Sequence, residues 1–246
     1  MNDATPPVPT RRTLLASMAL MAGASALPGR AERGTLMKHV VLLGDSIFDN
    51  KAYVGDGPDV IKQLSAALPE GFTATLAARD GSTTADIETQ LAAMPSDATH
   101  LVVSVGGNNA LEEKGLIEET AHSVAEVLDK LAKIKAAFKK DYSGMLDGVL
   151  ARKLPTAVCT IYEARYQDPT TRAIAATGLS VFNDVILREA FSRALPVIDL
   201  RLVFDDDADY ANDIEPSVQG GAKIAKIIAT VVTTHDFTRR HSVIYV

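Results

Sequence analysis

The chain has 246 residues, 47% hydrophobic and 23% charged, the balance of a globular protein with a sizeable core. A net charge of −6 argues against a general nucleic-acid or anionic-membrane binder. A single cysteine excludes an internal disulfide framework and a cysteine-rich zinc site, and no apolar run is a convincing membrane span.

Residues 1–36 differ from the rest. Arg11-Arg12 precede an uncharged Leu/Ala/Met/Gly stretch, and Gly29-Arg30-Ala31 offers small residues for a cut, the layout of an export leader of twin-arginine type. The alternative is an over-extended start with Met37 as the first residue, so the chain is either exported, for example to the periplasm, or cytoplasmic. Without this segment the net charge moves from −6 to −8, because four arginines leave against Asp3 and Glu32.

From Met37 onward, short apolar runs alternate with segments of helical period. His39–Leu43 predicts a strand buried on both faces. Gly57-Pro58 opens a helix to about Leu68, with Pro in the first helical position. Phe72–Ala77 predicts a second strand, Thr84–Met94 a helix and Leu101–Val105 a third strand. Leu116 to about Lys140 reads as an amphipathic helix with Val124, Leu128, Leu131 and Ile134 on one side. Tyr142-Ser143-Gly144 breaks it, and Met145–Leu154 forms another short helix. Thr156–Ile161 is the fourth strand, with Cys159 a core residue. A helix over Thr171–Ala194, a fifth strand at Val197–Leu200 and a last helix over Pro216–Thr233 complete a domain of residues 37–234. Residues 235–246 are an appended tail. Five strands separated by helices predict a parallel sheet covered on both faces, with ligands at the carboxyl ends of the strands.

Those ends carry the chemistry. Gly44-Asp45-Ser46 follows the first strand and holds a serine hydroxyl at the sheet rim, where an oxygen nucleophile is useful. Arg79-Asp80-Gly81-Ser82 follows the second, with an open amide at Gly81. Gly106-Gly107-Asn108 follows the third, with a side-chain amide at the same edge. Singly, each is an ordinary turn; together they offer a nucleophile and donors for a developing oxyanion. Asp49, Asn50, Tyr53, Glu163, Arg165 and Tyr166 are candidates to line the mouth. Asp205-Asp206-Asp207 with Asp209 lacks the glycine and final glutamate of a calcium loop and reads as a solvated acidic run.

In order and spacing these blocks resemble the SGNH (GDSL-type) hydrolase superfamily, from about Lys38 to Val232. The resemblance implies a flavodoxin-like three-layer α/β/α sandwich. It also implies Ser46 as nucleophile, with Ser46 N–H, Gly81 N–H and the Asn108 side chain as the oxyanion hole. The family's last block is Asp-x-x-His before the final helix, whereas this chain reads Asn212-Asp213-Ile214-Glu215-Pro216. Of the five histidines, His39 and His100 begin strands at the far end of the sheet. His235 and His241 follow the last helix, and His122 is the least remote. Glu215, with Asp213 beside it, is the candidate base, its low intrinsic pKa offset by burial. The expectation is a serine esterase acting on a small-molecule ester with a small or polar acyl group, without cofactor or metal, binding no nucleic acid and making no stable membrane insertion. A non-hydrolytic binding protein on the same scaffold and an acyltransferase using the same serine are the alternatives.

Overall fold

The computed structural model describes Met1 and residues 37–246; the leader reading falls on residues 2–36, outside the described residues. Six parallel strands, β1 (Lys38–Gly44), β2 (Phe72–Leu76), β3 (His100–Ser104), β4 (Thr156–Cys159), β5 (Val197–Ile198) and β6 (Ile244–Tyr245), lie in the order β2-β1-β3-β4-β5-β6. The chain leaves β1 toward β2 and returns across it to β3. The strand order therefore reverses at the β1/β3 edge, where ligand crevices form in such sheets.

Strand periodicity divides the core. Val40 and Leu42 face α1 (Val60–Ala67) and α7 (Val218–Thr234), packing with Val60, Leu64, Ile224 and Ile228. Val41 and Leu43 face the other way, toward α2 (Ile87–Ala93), α4 (Val124–Leu150) and α5 (Pro169–Ser192), among Ile87, Leu91, Leu146 and Ile186. From Val40 to Gly44 both sides of β1 are thus buried, as its unbroken apolar run requires. Two short helices, α3 (Gly107–Glu112) and α6 (Leu200–Val203), follow β3 and β5. Among the described residues no helix is long and apolar enough to cross a membrane.

The structure corrects the sequence reading in several places, including the start of α4 at Val124 rather than Leu116 and the end of β5 at Ile198 rather than Leu200. The sheet has six strands, not five, because the stretch read as a tail returns to the edge. There Val197 N–H donates to Val243 O and Asp199 N–H to Tyr245 O, both at 2.9 Å. A two-residue strand has no room for a period. Helix α1 starts at Val60 rather than at Pro58, since Asp59 caps it by accepting from Lys62 N–H. Helix α4 runs unbroken through Tyr142-Ser143-Gly144, because Phe138, Tyr142, Met145, Leu146 and Val149 share one buried face that outweighs local turn preference. Finally, Val124 and Leu128 are exposed, at 76% and 59%; only lower in α4 do apolar side chains meet the body. Cys159 is buried in β4, as expected of a core residue.

Candidate active site

The serine turn is built on a contact that excludes any side chain. At Gly44 φ is +142°, and a Cβ would stand 1.8 Å from Ser104 O. Glycine lets β1 and β3 close at the point where Ser46 leaves the sheet. Buried Gln90, reaching up from α2, accepts from Gly44 N–H and donates to Gly44 O, both at 2.8 Å. Its amide also lies 3.2 Å from Ser82 Oγ, tying the serine turn to the loop that carries Gly81. Replacing Gln90 with leucine strands Gly44 N–H, while Gly44 O keeps the bond from Arg79 N–H at 3.0 Å. The expected cost is about 1–3 kcal/mol, measured by urea denaturation.

Ser46 is 7% exposed, and its Oγ donates to Glu215 Oε1 at 3.1 Å. Glu215 comes from the loop before α7, and its position is determined by many hydrogen bonds. Asn212 Oδ1 accepts from both Ile214 and Glu215 N–H at 2.9 Å. Tyr162 OH donates to Ile214 O at 2.6 Å, and Arg165 N–H to Asp213 O at 2.6 Å. Asn50, wholly buried, accepts from Val60 N–H and donates to Pro216 O. The serine turn, the start of α1 and the Glu215 loop are thereby joined through one side chain.

The Glu215 carboxyl is pushed above the ordinary glutamate value, first by burial and then by the charge of Asp80, with the Ser46 hydrogen bond opposing. Its Oε2 is buried and has no hydrogen-bond partner. Asp45 is also buried and, although it accepts from Ile47 N–H, burial pushes it up to about 7. Between about pH 4 and 7 the folded chain therefore holds a proton on Asp45 that the unfolded chain has released. Stability falls as pH rises through that window. Asp45→Asn keeps an acceptor for Ile47, and its expected effect is to flatten this slope and stabilise the fold at pH 8 by roughly 3 kcal/mol. Denaturant midpoints from pH 4 to 8 measure it.

Of the residues read as oxyanion donors, Ser46 and Asn108 line the cavity with Glu215, whereas Gly81 is not among its lining residues. Among the described residues, the Ser46 and Gly81 N–H groups have no hydrogen-bond partner. Gly81 has φ +79°, a conformation that turns its amide without a side-chain penalty. Asn108 donates from Nδ2 to Ser82 O at 2.8 Å, leaving the second amide proton unused by that bond. Ser46, Asn108 and Glu215 line one cavity of about 600 Å³, which runs from the sheet edge between α4 and α5.

Asp213 is exposed, and it meets its neighbours through its main-chain carbonyl; its side chain is not brought to the Ser46–Glu215 pair. Of the six residues read as mouth candidates, only Tyr166 lines the cavity. Asn50 is a structural tie, Tyr53 OH donates to Asp80 at 2.7 Å, and Asp49 accepts from Asp80 N–H. Glu163 offers its carbonyl to Tyr210 OH, and Arg165 sits over the Tyr210 ring. No histidine lines the cavity. His39 bonds Thr75 and Asp97, and His100 packs on Phe72 and Phe237 at the far end of the sheet. His122 is exposed before α4, and His235 and His241 stack on each other beside Tyr245. The acidic run is bound up internally: buried Asp209 accepts from Asp205 and Asp206 N–H and pairs with Lys223 at 2.6 Å. Among the described residues no cluster of His, Cys, Asp or Glu is arranged to hold a metal.

Gln90 and Tyr162 carry no chemical motif in the sequence, and Asn50 reads there as a mouth residue rather than as a tie between segments. Asn212 carries a local signal, an Asx residue two before Ile214, where a side-chain cap of the turn is natural.

A model of the GDSL-like lipase/acylhydrolase family matches residues 42–223. No curated protein matches the chain. Among solved structures, an extracellular lipase from Streptomyces rimosus is 18% identical with a TM-score of 0.56, over 80% of this chain and 100% of that one. The lipase Lip_vut3 from a goat rumen metagenome is 19% identical with a TM-score of 0.61, over 80% and 97%. A lipase/acylhydrolase from Enterococcus faecalis is 21% identical with a TM-score of 0.54, over 79% and 96%. At these identities the likeness is one of fold.

Proposed function

The chain belongs to the GDSL-like lipase/acylhydrolase family, and on that premise we propose that it is a serine ester hydrolase whose general base is Glu215, standing where the SGNH pattern has histidine. The observation that carries this is the hydrogen bond from Ser46 Oγ to the buried Glu215 carboxylate. Both groups face the same cavity as the Asn108 amide.

Ser46 Oγ attacks the ester carbonyl carbon as its proton passes to Glu215 Oε1. The carbonyl oxygen becomes an oxyanion and is held by Ser46 N–H, Gly81 N–H and Asn108 Nδ2. Collapse of the tetrahedral intermediate expels the alcohol, which takes the proton from Glu215, and leaves an acyl-serine. Water then attacks with Glu215 again accepting the proton, and the acid departs as Ser46 is reprotonated. A carboxylate suits this role only when its pKa is brought up toward the operating pH, which burial at Glu215 favours. Asn212 is a positioning residue: it holds the Glu215 main chain, and Asp213 acts only through its carbonyl.

The test is labelling with an alkyl fluorophosphonate followed by peptide mass spectrometry, with p-nitrophenyl acetate hydrolysis in parallel. The expected result is one adduct, on Ser46, with hydrolysis lost in step. An unlabelled protein without turnover would overturn the hydrolase reading and is the behaviour of a binding protein on this scaffold.

A further inference from the structure

We propose that the cleft leading away from Ser46 is an acyl-chain channel, and that Gly178 sets the length of chain it admits. This rests on the ester-hydrolase reading for its substrate and extends it to specificity. Helices α4 and α5 run side by side in the same direction. Lower down they are closed: Phe138 meets Phe182 with ring centroids 4.8 Å apart, Lys135 pairs with Asp184, and Arg193 pairs with Asp147. Higher up they part. There Leu131 and Ile134 of α4 and Ile174, Gly178 and Phe182 of α5 line the cavity that also holds Ser46.

Gly178 is unexplained by its helix. Glycine is among the poorest helix formers, and Gly178 has no positive φ to require it. A Cβ added there meets no atom within 4 Å. Gly144 and Gly148 of α4 also have open space, but they are exposed to solvent, whereas Gly178 is half-buried on the cavity wall. Its missing side chain leaves a gap in a mostly apolar wall of the cavity that holds the reacting serine. A short acyl group ends before that wall; a longer alkyl chain lies along it, with Leu131 and Ile134 opposite, gaining favourable burial with each methylene. The Glu215 and Asn108 end is polar and the α4–α5 end apolar, which orients the ester with its acyl tail inward between the helices.

The test compares kcat/KM for p-nitrophenyl acetate and p-nitrophenyl octanoate, and decanoate binding by titration calorimetry to the Ser46→Ala protein. The wild type is expected to favour octanoate at least tenfold. Gly178→Phe is expected to reduce the octanoate-to-acetate ratio by tenfold or more and, in the Ser46→Ala background, to weaken decanoate binding to a similar degree. Leu131→Trp, narrowing the channel from the facing helix, provides the same readout should Gly178→Phe fold poorly. A ratio that does not change in either folded variant overturns the channel. Hydrolysis of acetate with no preference for octanoate also overturns it and leaves the hydrolase intact. Decanoate binding sensitive to Gly178 in a protein that hydrolyses neither ester upholds the channel and overturns the hydrolase.

Discussion

Ser46→Ala is expected to lower kcat/KM for p-nitrophenyl acetate by about 10⁴-fold, measured on protein shown to be folded by its cooperative denaturation. Removing the serine of a complete serine–imidazole–carboxylate system costs about 10⁶-fold in kcat. Here less catalysis is present to lose, because a carboxylate accepts the serine proton less readily than imidazole. The amides of Ser46 and Gly81 and the Asn108 side chain survive the substitution, so residual turnover from polarising the ester carbonyl remains. The hydroxyl makes one hydrogen bond, to Glu215, and its removal leaves that carboxylate buried with both oxygens unpartnered by protein.

Glu215→Gln is expected to cost about 10³-fold in kcat/KM while raising stability at neutral pH. The two effects have one cause. Burial and the charge of Asp80 make the ionised Glu215 unfavourable in the fold, so its pKa is raised. Between the unfolded and folded pKa values, the folded state holds the extra proton, and stability falls as pH increases. A neutral amide removes that cost and keeps an oxygen to accept from Ser46, but it takes no proton. A Glu215 with no part in proton transfer would give the same gain in stability but leave kcat/KM unchanged; the loss of activity in a protein that is no less stable marks the base. Most of the pair's surroundings stay in place, since Asn212, Tyr162 and Asn50 grip the main chain of the loop and not the carboxylate.

The parts of this arrangement visible in the sequence are those governed by short-range rules. An apolar run buried on both faces, then Gly-Asp-Ser, places a serine at the sheet rim, and the structure puts it beside the β3 end as the strand order requires. Asn108 follows by the same reasoning from β3 and lines the cavity with Ser46, whereas Gly81, after β2, does not line it. Glu215 comes into view only through the resemblance, as the residue standing at the position of the family's last block. What was hidden depends on contacts between distant segments. Gln90 lies 46 residues from Gly44 and binds both of its main-chain polar groups. Asn183 does the same for Ile161, after β4, from 22 residues away. A carboxamide on a helix has no periodic signature that distinguishes such a clamp from a solvated side chain. The turn-like Tyr142-Ser143-Gly144 misled because packing of Tyr142 and Met145 outweighs propensity, and β6 was missed because two residues of strand are held by β5 alone.

The proton acceptor is tested most directly by the pH dependence of fluorophosphonate inactivation, measured in an Asp45→Asn background so that no second buried carboxyl titrates nearby. The expected profile is a rising limb in the protein with Glu215, a flat and slow profile with Glu215→Gln, and a restored limb with Glu215→His, now near the imidazole value of about 6.5. A limb that persists at the same pH and rate in Glu215→Gln would contradict Glu215 as the base of Ser46.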